Sequence, residues 1–125
     1  CIKDEWKEKM TYKTNFYMDF NWRSRYVGIF ETVLDGITIY FIDNDDLFHR
    51  RKGVVDADGV EYADNDHRVI FYARGAIETV KKLRWTPNII LCSGWMSALA
   101  PLYLKKAYGD EPFFANSKIV LMLEN

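Results

Sequence analysis

Three residue pairs stand where a strand-like run gives way to a polar turn. They are Asp43-Asn44 after Ile42, Ser93-Gly94 after Cys92, and Glu124-Asn125 after Leu123. Ligands of open parallel sheets collect outside the carboxyl ends of the strands, so chemistry is expected at these places. Ser93-Gly94 also opens a helical segment, where free backbone N–H groups and the dipole favour an anion or a polar oxygen. The same residue types are ordinary loop-end chemistry: Ser93 reads equally as a helix N-cap and Asp43 as a turn residue. All three pairs line one rim only if their strands are parallel neighbours.

Other constellations fall short of a site. Asp56-Ala57-Asp58-Gly59 has the composition of a calcium loop, but its glycine comes two positions early and the closing glutamate is missing. His49 and His67 are isolated, which places them on loop and helix surfaces rather than around zinc. No Gly-x-Gly-x-x-Gly, no phosphate-binding Walker loop and no Gly-x-Ser-x-Gly elbow occurs. Trp6, Trp22, Trp85 and Trp95 are core or interface candidates, and an exposed one near the rim would offer a face for a sugar ring.

The elements that must position these residues follow from local pattern. Residues 4–10 form a short helix or helix end, and residues 15–20 alternate loosely enough for a strand. Tyr26–Leu34 and Ile37–Ile42 are rich in β-branched and aromatic residues and flank Asp35-Gly36, which predicts a hairpin closed by a type I′ turn. A short helical turn through Leu47, Phe48 and His49 follows the polar run Asp43–Asp46, and residues 50–65 read as a long loop. From Asp66 the period becomes helical through Val69, Ile70, Ala73, Ala76, Ile77, Val80 and Leu83, until Thr86-Pro87-Asn88 stops it. Gly75 within that run is expected where helix and sheet approach closely. Ile89–Cys92 has the continuous apolar character of a strand buried on both faces. A second helix over about 95–108, kinked or delayed by Pro101, then leads to a strand at Lys118–Leu123. The second half is thus a β-α-β unit whose strands should run parallel, and the whole is an α/β layered sheet.

Composition sets the outer limits. With 49% hydrophobic residues in 125, the chain has enough apolar surface for one core and excludes a disordered tail. A net charge of −1 leaves no electrostatic footprint for nucleic acid. The apolar runs are far shorter than the ~20 residues that span a bilayer, so no transmembrane helix is expected. Two cysteines, Cys1 and Cys92, with the second inside an apolar run, favour a reducing compartment and a cytoplasmic location. The chain opens on Cys1 and closes just after an apolar run, so the natural polypeptide is expected to continue beyond both ends.

Several blocks, in order, resemble the bacterial glycogen and starch synthases. Ile39–Phe48 is similar to that family's Tyr-Phe-Ile-Asp-Asn segment, and Tyr62–Arg68 with the helix after it continues the likeness. Trp85–Lys105 resembles the most recognisable block of the family's N-terminal domain, while residues 16–34 and 111–114 and the strand from Lys118 extend the match over nearly the whole chain. The resemblance implies part of the N-terminal lobe of a GT-B fold, two Rossmann-like domains facing across a cleft. Residues 1–125 would be a piece of the acceptor-side domain, without the C-terminal nucleotide-sugar domain. It implies transfer of glucose from ADP-glucose or UDP-glucose to the non-reducing end of an α-1,4-glucan, with retention of configuration and no metal or other cofactor. By the same resemblance Asp43, Asn44, Asp64, Arg68, Ser93, Gly94 and Trp95 would lie at or near the cleft rim and bind donor glucose or acceptor glucan.

The departures from the family pattern bear on activity. Ser93-Gly94-Trp95 stands where the family has His-Asp-Trp or His-Gly-Trp, and that histidine is expected to touch the transferred glucose. Leu91 replaces another common histidine, and the final strand leads into Glu124-Asn125 rather than His-Asn or Tyr-Asn. Neither the family's Lys-x-Gly-Gly-Leu loop nor its catalytic glutamates occur, so the catalytic residues stay unassigned and the piece alone is expected to be inactive. Two other readings remain: a degenerate, non-catalytic glucan-binding or interaction module, and an α/β module with no carbohydrate role.

Overall fold

A computed structural model describes residues 4–20, 23–48, 51, 55–94, 101 and 114–122. The chain divides into two compact units, residues 1–65 and 66–125.

The first unit is an antiparallel sheet. After a short helix α1 (Asp4–Lys7) come β1 (Thr11–Phe20), β2 (Arg23–Leu34) and β3 (Ile37–Asp43), paired in the order β1-β2-β3. The turn between β2 and β3 is the expected one: Asp35 has φ 51° and Gly36 φ 79°, the two positive values that a type I′ turn requires. β1 is longer than the alternation in residues 15–20 implies, and a register shift between Tyr12 and Thr14 marks a bulge at Lys13. Met18, Val27 and Ile29 are buried on one face of this sheet. A one-turn helix α2 (Asp45–Phe48) follows β3 and buries Leu47. Among the described residues between α2 and α3, one bridge pairs Val55 with Glu61. There the calcium-like run is a turn held by its own carboxylate. Asp56 Oδ1 accepts from the N–H groups of Asp58 (2.8 Å) and Val60 (2.9 Å), and Gly59 supplies φ 80°.

The second unit carries α3 (Asn65–Lys82) and a parallel pair, β4 (Ile89–Ser93) with β5 (Lys118–Met122). The parallel pairing is the one expected of a β-α-β unit. Of the helix expected between these strands, only Pro101 is among the described residues, and it is helical. Ala73, Ile77, Cys92 and Phe114 form the core, with Val80, Ile90 and Ile119 packed against it. The helix buries more than the predicted stripe: Arg68, Phe71 and Thr79 are buried as well, on a second face about a third of a turn away. Thr79 is accommodated there because its hydroxyl donates to the Gly75 carbonyl (2.6 Å).

Two details differ from the sequence reading. α3 ends before Thr86-Pro87-Asn88, in a Schellman motif. Arg84 adopts φ 54°, its N–H donates to the Lys81 carbonyl (3.0 Å), and the Trp85 N–H donates to the Val80 carbonyl (3.2 Å). β4 is buried on one face only: Cys92 is 3% exposed, but Ile89 and Leu91 are 65% and 58% exposed. The paired strands follow period two, so Ile90 and Cys92 face α3 while Ile89, Leu91 and Ser93 face away. A continuous apolar run does not reveal how many layers cover it.

Candidate functional site

The predicted residues occupy three places. At the carboxyl end of β3, Asp43 is half-buried and Asn44 is buried. Asn44 Oδ1 accepts the Leu47 N–H (3.1 Å), the capping contact that starts α2, and its Nδ2 donates to the Tyr26 carbonyl (2.9 Å). Both ends of the amide are therefore bonded to backbone, tying the strand end to β2 and to the helix that follows. Arg25, on the neighbouring strand, reaches Asp46 in this helix at 3.2 Å.

In the segment before α3, Asp64 receives the Arg51 guanidinium at 2.5 Å. Arg51 lies over the Tyr62 ring, 5.0 Å from its centroid. Sequence reasoning singles out Asp64 but misses Arg51, because no local spacing links two residues thirteen positions apart. In the second unit, Arg68 near the start of α3 is 2% exposed and held by interactions inside the protein. A guanidinium buried this far has little access to water, so its charge is met inside the protein.

The carboxyl end of β4 presents Ser93 to solvent, followed by Gly94 at φ 82°. A Cβ built on Gly94 meets no atom within 4 Å, so the left-handed backbone, not crowding, calls for glycine there. Trp95, Glu124 and Asn125 lie outside the described residues. The rim drawn from three parallel neighbours takes a different form. β3 belongs to the antiparallel sheet, and β4 has only β5 as its parallel partner among the described residues. The parallel rim therefore carries Ser93 and Gly94, whereas Asp43 and Asn44 stand at the open end of an antiparallel hairpin, away from its turn. An apolar groove of 280 Å³, with Tyr72, Trp85 and Pro87 in its wall, contains none of these polar residues.

Two titrating groups are shifted. Burial pushes the Cys92 thiol upward, which keeps it neutral and unreactive in the core. The Tyr26 phenol is also raised, first by desolvation and then by Tyr12, Asp43 and Tyr17 around it. Among the described residues no cluster of His, Cys, Asp and Glu has the makings of a metal site, and no helix is long and apolar enough to cross a membrane.

Comparison with known proteins places this geometry. A family model described as the starch synthase catalytic domain matches residues 1–125. A glycogen synthase from Lachnospira eligens is 36% identical over 126 residues, covering 100% of this chain and 25% of that protein. One from Clostridium perfringens is 32% identical, again over 100% of this chain and 25% of its own length. The chain thus spans about a quarter of the curated relatives it matches. Among solved structures, the catalytic domain of starch synthase IV from Arabidopsis thaliana, bound to ADP and acarbose, aligns with a TM-score of 0.74. That alignment covers 90% of this chain and 22% of the other at 18% identity, and it shows the fold alone: a Rossmann-like α/β portion of a GT-B lobe.

Proposed function

The chain belongs to the starch synthase catalytic domain family and spans part of its N-terminal domain, and we propose that it is the acceptor-side portion of a retaining glucosyltransferase. The complete protein transfers glucose from ADP-glucose or UDP-glucose to the non-reducing end of an α-1,4-glucan, in the cytoplasm. The observation that carries this reading is the family match over all 125 residues.

Within this reading the seven residues divide by exposure. Ser93, Gly94, Asp43 and Asp64 are at least partly open to solvent and are suited to orient sugar hydroxyls. Trp95 lies outside the described residues, and its proposed part is to offer a ring face to a sugar. Asn44 and Arg68 are buried, and Asn44 acts by tying the end of β3, with Asp43 on it, to the neighbouring backbone. The 125-residue piece by itself transfers no glucose. Charge stabilisation at the departing diphosphate falls to the nucleotide-sugar lobe, which the family places across the cleft.

A second reading, a glucan-binding module without catalysis, is favoured by one observation: Ser93 stands where the family has histidine. Ser93→His in the complete protein separates the two, with glucose incorporation into glycogen from labelled ADP-glucose as the readout. A large gain in turnover identifies a synthase impaired at this position. Incorporation that stays at background in both forms, with glycogen still bound, identifies the module and overturns the enzymatic reading.

A further inference from the structure

Arg51 joins two stretches that the proposed reaction places at substrate, Asp43-Asn44 at the end of β3 and Asp64 before α3. Its backbone is fixed from the β3 side. The Phe48 N–H donates to the Asn44 carbonyl (3.0 Å) and the Arg51 N–H donates to the Phe48 carbonyl (3.2 Å), so hydrogen bonds lead through α2 from the strand end to Arg51. Its side chain reaches the other stretch. Arg51 Nη1 lies 2.5 Å from Asp64 Oδ1, thirteen positions along the chain, and the guanidinium carbon sits 5.0 Å from the centroid of the Tyr62 ring. The Tyr62 carbonyl in turn accepts the Asn65 N–H (3.2 Å), which ties Tyr62 to the first residue of α3. All of these residues belong to the first unit.

The pair suits direction better than strength. Side chains 27% and 32% exposed are screened by water, and an ion pair of that kind adds little to stability. The residue type is nonetheless specific. A lysine would bring only a point charge to Asp64, whereas a planar guanidinium lies on an aromatic face and donates to a carboxylate at the same time. With the Tyr62 ring against it and an Asp64 oxygen on Nη1, the guanidinium has little freedom to swing, and the carboxylate it holds takes a fixed direction. The excursion between the two residues has its own fastenings. Val55 bridges to Glu61, and the Asp56 N–H donates to the Val60 carbonyl (2.8 Å). Arg51 is therefore not what folds this segment; it sets where Tyr62 and Asp64 stand relative to the end of β3.

We propose that Arg51 is a positioning residue for sugar binding: it aims the Asp64 carboxylate at a sugar hydroxyl and keeps it in register with the end of β3. Arg51 itself touches no substrate. The proposal rests on the glucosyltransferase reading, in which Asp64 binds donor glucose or acceptor glucan. A carboxylate must meet a hydroxyl within hydrogen-bond distance and near a lone-pair direction, so a displacement of about an ångström is enough to lose the contact. A residue that served folding alone would change the amount of active enzyme and leave the KM of the folded enzyme untouched.

The test measures steady-state glucose transfer by the complete protein, with the KM for ADP-glucose and the KM for glycogen determined separately. Asp64→Ala should raise one of these constants about tenfold, the size of one lost hydrogen bond to a charged group. Arg51→Ala should raise the same constant about tenfold and leave the other within about twofold of the parent. Because the two residues act as a unit, the double variant should match Asp64→Ala within about twofold. Arg51→Lys keeps the charge but not the stacked fork, and should stay nearer to Arg51→Ala than to the parent. Parental KM values in Arg51→Ala, full recovery in Arg51→Lys, or losses that multiply in the double variant overturn the positioning role and leave the glucosyltransferase reading intact. Parental KM values in Asp64→Ala overturn it too, since Arg51 then has nothing to aim. A complete protein that transfers no glucose brings down both readings together.

Discussion

Replacing Asn44 with alanine tests whether the end of β3 is held as the geometry indicates. The side chain is 5% exposed and bonded at both ends, to the Leu47 N–H at 3.1 Å and the Tyr26 carbonyl at 2.9 Å. Losing the cap costs about 1 kcal/mol for a Ser, Thr, Asn or Asp cap exchanged for alanine. Withdrawing the donor from a carbonyl in a half-buried setting costs about 1–3 kcal/mol more. Part of the cap survives, because the Leu47 N–H also points to the Asn44 carbonyl at 3.3 Å. The expected loss is therefore about 2–3 kcal/mol in the unfolding free energy, read from urea denaturation at constant m-value. Asn44→Asp separates the two halves: it keeps the capping oxygen but sets a carboxylate against the Tyr26 carbonyl. It should recover about 1 kcal/mol of the alanine loss at most, through the cap and its charge at the helix start. A loss below about 0.5 kcal/mol in Asn44→Ala, the range of surface substitutions, would refute the reasoning and free Asn44 for a direct role with substrate.

Three further outcomes are expected. Arg84→Gly should stabilise the chain by about 0.5–1 kcal/mol, because a β-carbon at φ 54° is strained where glycine is not; thermal unfolding checks this, and a lower midpoint would contradict the Schellman assignment. Burial raises the Cys92 pKa, so the native state keeps its thiol proton longer than the unfolded chain. The stability from this group is complete below the unfolded thiol value of about 8.5 and declines as pH rises from there toward the folded value. Urea curves from about pH 7 to about pH 10 should show this decline, and Cys92→Val should flatten it. The Arg51–Asp64 pair, with side chains 27% and 32% exposed, should show a coupling of at most about 1 kcal/mol in a double-mutant cycle, falling with added salt. A coupling that salt does not reduce would mean that the pair is closed off from solvent.

Much of this protein is legible in its sequence because the relevant physics is local. Asp35-Gly36 specifies its turn by the positive φ that both positions tolerate, so the hairpin follows from two residues and their flanks. The spacing of Val69, Ala73 and Ile77 defines one face of α3 without knowledge of what covers it. The β-α-β handover makes β4 and β5 parallel, and the ordered family blocks point to the lobe the comparisons identify. Ser93-Gly94 at a strand end is legible for the same reason, since turn chemistry is written in adjacent residues.

What the tertiary structure decided depends on contacts between distant positions. Ile89 and Leu91 look as buried as Cys92 in the sequence, but burial depends on how many layers flank the strand. Asn44 reads from its place in the chain as a ligand contact, and only the approach of the Tyr26 carbonyl, eighteen residues away, shows both ends of its amide engaged. Which tyrosines share a face of the antiparallel sheet also depends on register. Simple alternation would send Tyr12 to the opposite side from Asn15 and Tyr17, and the bulge at Lys13 returns it to theirs. A one-residue slip in pairing reverses every side chain of a strand. No local pattern encodes it, and the assembled sheet alone brings Tyr12, Tyr17 and Tyr26 onto one surface.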